Sequence, residues 1–280
     1  MIGCLKEKHL SEGLYKFLYL KKQFNSTKYN SFINYFLIFF YKILRKICNT
    51  FNVSFSFSSD GEDYVLFKIF NGIENGNYID IGANHPILHS NTFSFYIAGW
   101  RGVCVDPIPS LVRKFKFFRS QDIFISAGLD SDGNNKSLPF YYYANHPDNS
   151  TFDIDRVKVL ESLHSRVPTR VIDIPLVTVS QIIDKLTVNN DNTIVHLLSI
   201  DVEGMEKKIL SSFFKSRILP WVVCVEDLGY LAQDIPKTSI HKLMVQNGYK
   251  LGMRTFLSSI YILKSKIQYL KSPFTNEWIK

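Results

Sequence analysis

The chain has 280 residues, 46% of them hydrophobic and 15% aromatic, which excludes a disordered segment and allows one substantial α/β domain with an appendage. Its formal net charge of +8 sits mostly in residues 1–50, where nine Lys/Arg face only Glu7 and Glu12 for a net of +7. The rest is close to neutral, a poor electrostatic match for a polyanion, so no nucleic-acid partner is expected.

In chain order, residues 1–54 read as a basic, aromatic helical extension and residues 55–280 as one domain. The uncharged run Tyr29–Tyr41 is 13 residues long, short of the roughly 20 needed to span a bilayer. It continues into Lys42-Ile43-Leu44-Arg45-Lys46-Ile47 with apolar residues at helical spacing. No small-residue cleavage site accompanies it, so a secretory signal is not expected. Residues 29–47 therefore read as an amphipathic helix packed on the domain or on a second copy, or lying in a membrane interface. The expected location is cytoplasmic, with the inner face of the membrane as a peripheral contact. Of the four cysteines, Cys104 and Cys224 lie inside apolar runs and read as buried core thiols, while Cys4 and Cys48 share no metal-type or paired spacing with them.

After the polar connector Asn49–Ser59, acidic residues at Glu62 and Asp63 suit the first turn of a helix. Tyr78–Ile81 is the first strand. Ser90 caps a helix that Gly99 stops, and Gly102–Val105 is the second strand. Pro109 and Ser110 start a helix burying Leu111, Phe115 and Phe118. Asp122–Gly128 reads as strand three and Asp130–Gly133 as a turn. Leu138–Tyr143 and Val171–Leu176 are further strands, with a charged helix over 153–167 between them. A helix over Val179–Leu186 precedes the strand Val195–Asp201, whose following helix starts at Glu203. Trp221–Val225, a helix from Ser239 to Asn247, and the hairpin Tyr249–Phe256 with Ile260–Lys264 complete the chain. Alternating strands and helices predict a mostly parallel sheet of seven strands, Rossmann-like, with helices on both faces and an antiparallel hairpin at its C-terminal end.

Two successive strands end on carboxylates, Asp80 and Asp106, which places a nucleoside cofactor across the carboxyl edge of the sheet. The loop Ile81-Gly82-Ala83-Asn84-His85-Pro86 has a single glycine. It lacks the G-x-G-x-x-G that lets backbone approach a pyrophosphate, and there is no G-x-x-x-x-G-K-[ST] loop elsewhere. S-Adenosylmethionine carries no phosphate, and one glycine suffices to let its amino acid portion pass. The expected cofactor-binding set is Asp80, Gly82, Asn84, Asp106, Pro107, Asp122 and Ala127, with Asp106 accepting from the ribose hydroxyls and Asp80 holding the ammonium end.

Tyr78-Ile79-Asp80-Ile81-Gly82-Ala83-Asn84-His85-Pro86, Ser90-Asn91-Thr92, Gly99-Trp100-Arg101-Gly102 and Asp106-Pro107 together resemble the FkbM family of methyltransferases. Ser150-Thr151-Phe152, Leu198-Ser199-Ile200-Asp201-Val202-Glu203-Gly204-Met205-Glu206 and Cys224-Val225-Glu226-Asp227-Leu228 follow in the family's order. Two positions depart from its pattern: Ser59 stands where a glutamine is usual, and Asp106 where Glu is common. The resemblance implies a class I fold and O-methylation of a hydroxyl on a sugar, glycolipid or polyketide-like natural product. The alternatives are an inactive partner protein retaining the fold and a nucleic-acid methyltransferase. Asp201 is the first choice for general base, with Glu203, Glu226 and His85 as further catalytic candidates. Asp201, Glu226 and Asp227 could also form a hard oxygen site for Mg²⁺, and association into a homo-oligomer is a further expectation.

Overall fold

The apolar runs that end on carboxylates form the middle of a seven-stranded sheet. The computed structural model describes residues 55–130, 135–186, 194–216, 218–227 and 232–270, with Phe39 and Ile43. The expectations for the N-terminal extension otherwise lie outside the described residues, as does the turn beyond Asp130. The strands are β1 (Asn77–Ile81), β2 (Arg101–Val105), β3 (Ile123–Ile125), β7 (Leu197–Ile200), β8 (Val222–Glu226), β9 (Tyr249–Arg254) and β10 (Ser258–Leu263). They lie in the order β3-β2-β1-β7-β8-β10-β9, with β10 antiparallel to both neighbours and the other pairings parallel.

Side chains on each strand alternate between two apolar cores, as the period of two requires. Tyr78, Cys104, Leu197 and Cys224 point to one face. That face is covered by α1 (Glu62–Ile69), α2 (Phe93–Ile97) and α3 (Leu111–Phe118). Ile79, Ile81, Val103, Val105, Leu198 and Val223 point to the other face. Here α5 (Val179–Leu186), α6 (Glu206–Lys215) and α7 (Ser239–Gln246) supply Ile182, Ile209, Leu210, Phe213 and Met244. Cys104 and Cys224 are buried and free, matching the expectation for core thiols.

Three stretches differ from the sequence reading. Asp122–Gly128 is not one strand: the main chain turns at Ala127, whose N–H bonds the carbonyls of Asp106 and Ile125, and Gly128–Leu129 becomes β4. β4 joins β5 (Ser137–Tyr142) and β6 (Arg170–Val177) in a separate three-stranded sheet, with α4 (Ile154–His164) between β5 and β6 in sequence. Gly128 makes this packing feasible, because a Cβ there would stand 2.5 Å from the Phe152 ring. Finally, α6 begins at Glu206 and not at Glu203. Glu203 and Gly204 both adopt positive φ, 55° and 115°, and the Glu206 carboxylate accepts the N–H groups of Val202 and Gly204. That turn lifts Glu203 off the helix.

Strand register then aligns the site. Ile81 lies opposite Val105 and Ile200, and Ile200 opposite Val225. The next residues, Gly82, Asp106, Asp201 and Glu226, consequently emerge at one level of the carboxyl edge.

Candidate active site

The loops at that edge enclose a cavity of about 350 Å³, within the size range of small-molecule sites. Gly82 and Asn84 come from the loop after β1, Asp106 and Pro107 from that after β2, and Ala127 from that after β3. Asp201, Glu203 and Glu226 come from the ends of β7 and β8, and Phe140, Ser150, Thr151 and Phe152 from the smaller sheet and its following loop. Ser59, His89 and Leu257 close the remaining side.

Gly82 is required by geometry. Its φ is +78°, and a Cβ would lie 1.6 Å from the carbonyl oxygen of Asp201. The glycine therefore lets the first loop touch the loop after β7, bringing the two carboxyl ends into one wall. Asn84 also takes a left-handed φ, 43°, and presents its N–H to the Asp106 carboxylate at 2.9 Å. The other Asp106 oxygen accepts the Ile108 N–H at 2.9 Å. Burial raises this carboxyl to about 6, against which the two N–H bonds work. Each oxygen has a further lone pair, so Asp106 can accept from a pair of vicinal hydroxyls, the hydrogen-bonding signature of a ribose.

Across the cavity, one carboxylate oxygen from each of Asp201, Glu203 and Glu226 lies within 4.8 Å of the others. Burial, followed by the charges of Asp201 and Glu203, pushes Glu226 far above the usual carboxylate range, and it hydrogen-bonds Asp201. Glu226 therefore holds a proton at neutral pH while Asp201, exposed, faces it. Arg156 from α4 pairs with Glu203, and the Thr151 hydroxyl donates to the Glu203 carbonyl at 3.2 Å. The loop carrying the acids is thus tied to the smaller sheet.

Four expected residues lie outside the cavity wall. Asp80 faces the α1–α3 side, where Thr92 donates to it at 2.5 Å and burial raises its carboxyl. Asp122 is paired with Arg119 at 2.7 Å, and also accepts the Tyr78 hydroxyl and the Gly102 N–H. His85 turns its Nδ1 back on the Ile87 and Leu88 N–H groups, at 3.2 and 3.1 Å. Burial, then Lys114 and His89, lowers it to about 4, so it orders its loop as a neutral ring. Asp227 follows Glu226 on an extended chain and so points to the opposite face, beside Arg254, His241 and Thr238. Glu203 takes the place expected for Asp227 in the acidic cluster.

Sequence reasoning missed Arg119, which is 1% exposed and donates to Asp122, to the Tyr78 hydroxyl at 2.9 Å and to Thr92 at 3.0 Å. An arginine after the helix of Phe115 and Phe118 carries no local signal of burial. The walls from Phe140 and Phe152, with ring centroids 4.7 Å apart, were also missed, because a separate sheet brings them over the cavity.

A family model described as the Methyltransferase FkbM domain matches residues 80–251, more than half of the chain. Among solved structures, a TehB-like SAM-dependent methyltransferase from Corynebacterium glutamicum ATCC 13032 Kitasato is similar at 10% sequence identity and a TM-score of 0.37. That match covers 82% of this chain and 100% of the other. No curated protein matches the chain.

Proposed function

Because the chain belongs to the FkbM methyltransferase family and is an S-adenosylmethionine-dependent methyltransferase, we propose that it transfers the methyl group to a hydroxyl of a sugar or glycolipid. The observation behind this reading is the Asp201–Glu203–Glu226 cluster facing Asp106 across one cavity. A hydroxyl nucleophile needs a proton acceptor in the transition state, whereas an amine or thiolate acceptor has less need of a carboxylate cluster.

S-Adenosylmethionine, when bound, supplies an electrophilic methyl group on a sulfonium that leaves as a neutral thioether. The chain's own residues do the rest. Asp106 accepts from the ribose hydroxyls, and the Gly82–Asn84 loop keeps that carboxylate fixed through the Asn84 N–H. Asp201 accepts the proton of the acceptor hydroxyl as the oxygen–methyl bond forms. Glu226, holding its proton, donates to Asp201 and keeps it oriented. Arg156 pairs with Glu203 and offsets its charge beside the other two acids. The walls of Phe140 and Phe152 exclude water from the transfer.

A second reading follows from the same cluster. Three carboxylates within 4.8 Å suit the hard oxygen coordination of Mg²⁺, with Asp201, Glu203 and Glu226 as its ligands. A bound cation would lower the acceptor hydroxyl's pKa and leave Glu226 ionised.

Calorimetric titration with S-adenosylmethionine, followed by labelled methyl transfer to extracts fractionated into glycans, lipids and small molecules, tests the assignment. Label appearing in glycan or glycolipid fractions supports it; label confined to protein or nucleic acid overturns it. Asp201→Ala should bind the cofactor and fail to transfer. Activity that disappears with EDTA and returns with Mg²⁺ would select the cation reading.

A further inference from the structure

The loop after β1 carries a second polar group to the cavity beyond Asn84. His89 lines the wall with a left-handed backbone, φ 57°. That conformation is uncommon for a residue with a side chain and persists where the neighbouring chain fixes it. Here it is fixed on both sides. The Leu88 N–H donates to the His85 ring at 3.1 Å, and the Ser90 N–H donates to the Phe57 carbonyl at 3.0 Å. Ser90 is itself buried, its hydroxyl oxygen accepting the Phe93 N–H at 3.1 Å as α2 begins. The bracketed backbone turns His89 outward, exposed to solvent at the mouth of the cavity.

The ring is oriented as well. Its Nδ1 lies 3.1 Å from the Ser59 hydroxyl, which also lines the cavity. With Nδ1 engaged, Nε2 is the nitrogen that remains for a ligand. Contacts then run from this pair to the acid cluster. Asp60, next to Ser59, accepts the Leu257 N–H at 3.0 Å. Leu257 lines the cavity, and its carbonyl accepts the Asp227 N–H at 3.0 Å. Its neighbour Ser258 pairs with Glu226 across β10 and β8. Ser59, His89, Leu257 and Glu226 thereby belong to one continuous wall. Asp106 emerges from β2, on the far side of β1 from β7 and β8. A cofactor held by Asp106 and the Gly82 turn leaves the wall from Glu226 to His89 to the acceptor.

We propose that His89, oriented by Ser59, binds a second hydroxyl of the acceptor and so selects which hydroxyl meets Asp201. The acceptor class is then a polyhydroxylated molecule such as a sugar ring, and not a lone alcohol or phenol. This assignment rests on the O-methyl-transfer reading above. An imidazole along the wall from the acid cluster has no part in the proton transfer; its effect is on binding and on the position methylated.

The test uses the full chain, with the glycan or glycolipid fraction that takes up label as the acceptor, titrated by dilution. His89→Gly should raise the half-saturating amount of acceptor about tenfold, the effect of losing one well-placed hydrogen bond. Its product should carry label at more than one hydroxyl position. S-Adenosylmethionine affinity should be unchanged. The melting temperature should hold, because glycine's ease at left-handed φ offsets its greater freedom in the unfolded chain. His89→Asn tolerates the same φ and keeps a polar tip, so it should fall between the two. Ser59→Ala should act in the same direction by a smaller factor. Unchanged half-saturation with a single labelled position in His89→Gly overturns the proposal and leaves the O-methyl reading intact. So does early melting with loss of S-adenosylmethionine binding, which would assign His89 to the folding of the cofactor loop. Absence of label from every glycan and lipid fraction would instead overturn the O-methyl reading, and the acceptor subsite with it.

Discussion

Two carboxylate-rich clusters lie about one strand apart in this molecule, and they are built on opposite rules. On the α1–α3 face, Asp122 meets the Arg119 guanidinium, the Tyr78 hydroxyl and the Gly102 N–H, while Asp80 receives Thr92. Every carboxylate there has donors facing it, and Arg119 and Asp122 have fully buried side chains. At the carboxyl edge, Asp201, Glu203 and Glu226 face one another, with Arg156 as a partner for Glu203. The first arrangement satisfies buried polar groups and holds α2, α3 and the sheet together. The second crowds like charges, displaces Glu226 from its ordinary titration range, and keeps Asp201 open to the cavity. Matched donors and acceptors indicate structure; crowded acids beside a cavity indicate chemistry.

The contrast is broken most severely by Arg119→Leu. Removing the guanidinium leaves Asp122 buried without its counter-charge, and urea denaturation should show a loss of roughly 3–5 kcal/mol. Arg119→Lys should recover only part of it. An ammonium cannot reproduce the fork that serves Asp122, Tyr78 and Thr92 together. A loss under about 1 kcal/mol in Arg119→Leu would contradict a structural role for this network.

Asp201→Asn should act in the opposite sense. The transfer rate is expected to fall by about 10²–10⁴, the range typical of losing a positioned base. Folding stability should hold or rise, because one of the two ionised acids crowded beside protonated Glu226 is gone. Steady-state kinetics and thermal melting on the same preparation separate the two effects. A variant that melts early while retaining its rate would reverse the assignment of the two clusters.

Asp106 stands between these rules, buried yet turned to the cavity. Its ionised form accepts ribose hydroxyls, so S-adenosylmethionine affinity should decline as pH falls through about 6. Asp106→Ala should weaken binding by roughly 1.5–3 kcal/mol, as expected for bonds to a charged acceptor, and should flatten that pH dependence. Calorimetric titration across the pH series reads both outcomes, and affinity independent of pH in the unaltered protein would remove Asp106 from the cofactor site.

The same comparison explains what the sequence could and could not disclose. Alternating apolar runs were sufficient for the central parallel sheet. A carboxylate just past a strand end, as at Asp106 and Asp201, was sufficient for the cavity wall. Asp80 lies within its strand, one residue before Ile81, and strand alternation turns it to the α1–α3 face. Asp227 is separated from Glu226 by the same single step. The partner that makes Asp122 structural, Arg119, is three residues away, yet its other contacts at Tyr78, Ser90 and Thr92 are distant in sequence. The smaller sheet was hidden for a related reason. Its β4 is two residues long, and its pairing with β6 depends on the turn at Ala127.

Per pH unit, the smallest expected effect is also the most specific to the crowded cluster. Glu226 has a folded-state pKa raised above its ordinary 4.5, so the native protein holds a proton that the unfolded chain releases. Stability is therefore fully present below about 4.5 and is lost as pH rises from there towards the raised value. The slope of unfolding free energy should stay below about 1.4 kcal/mol per pH unit, the limit for one proton. Glu226→Gln should abolish this component, since an amide has no proton to release, and saturating Mg²⁺ should reduce it in the unaltered protein by favouring the ionised acid. Denaturation series over that pH range measure it directly. A slope that persists in Glu226→Gln would place the titrating proton elsewhere and remove the like-charge crowding that distinguishes this cluster from the Arg119 network.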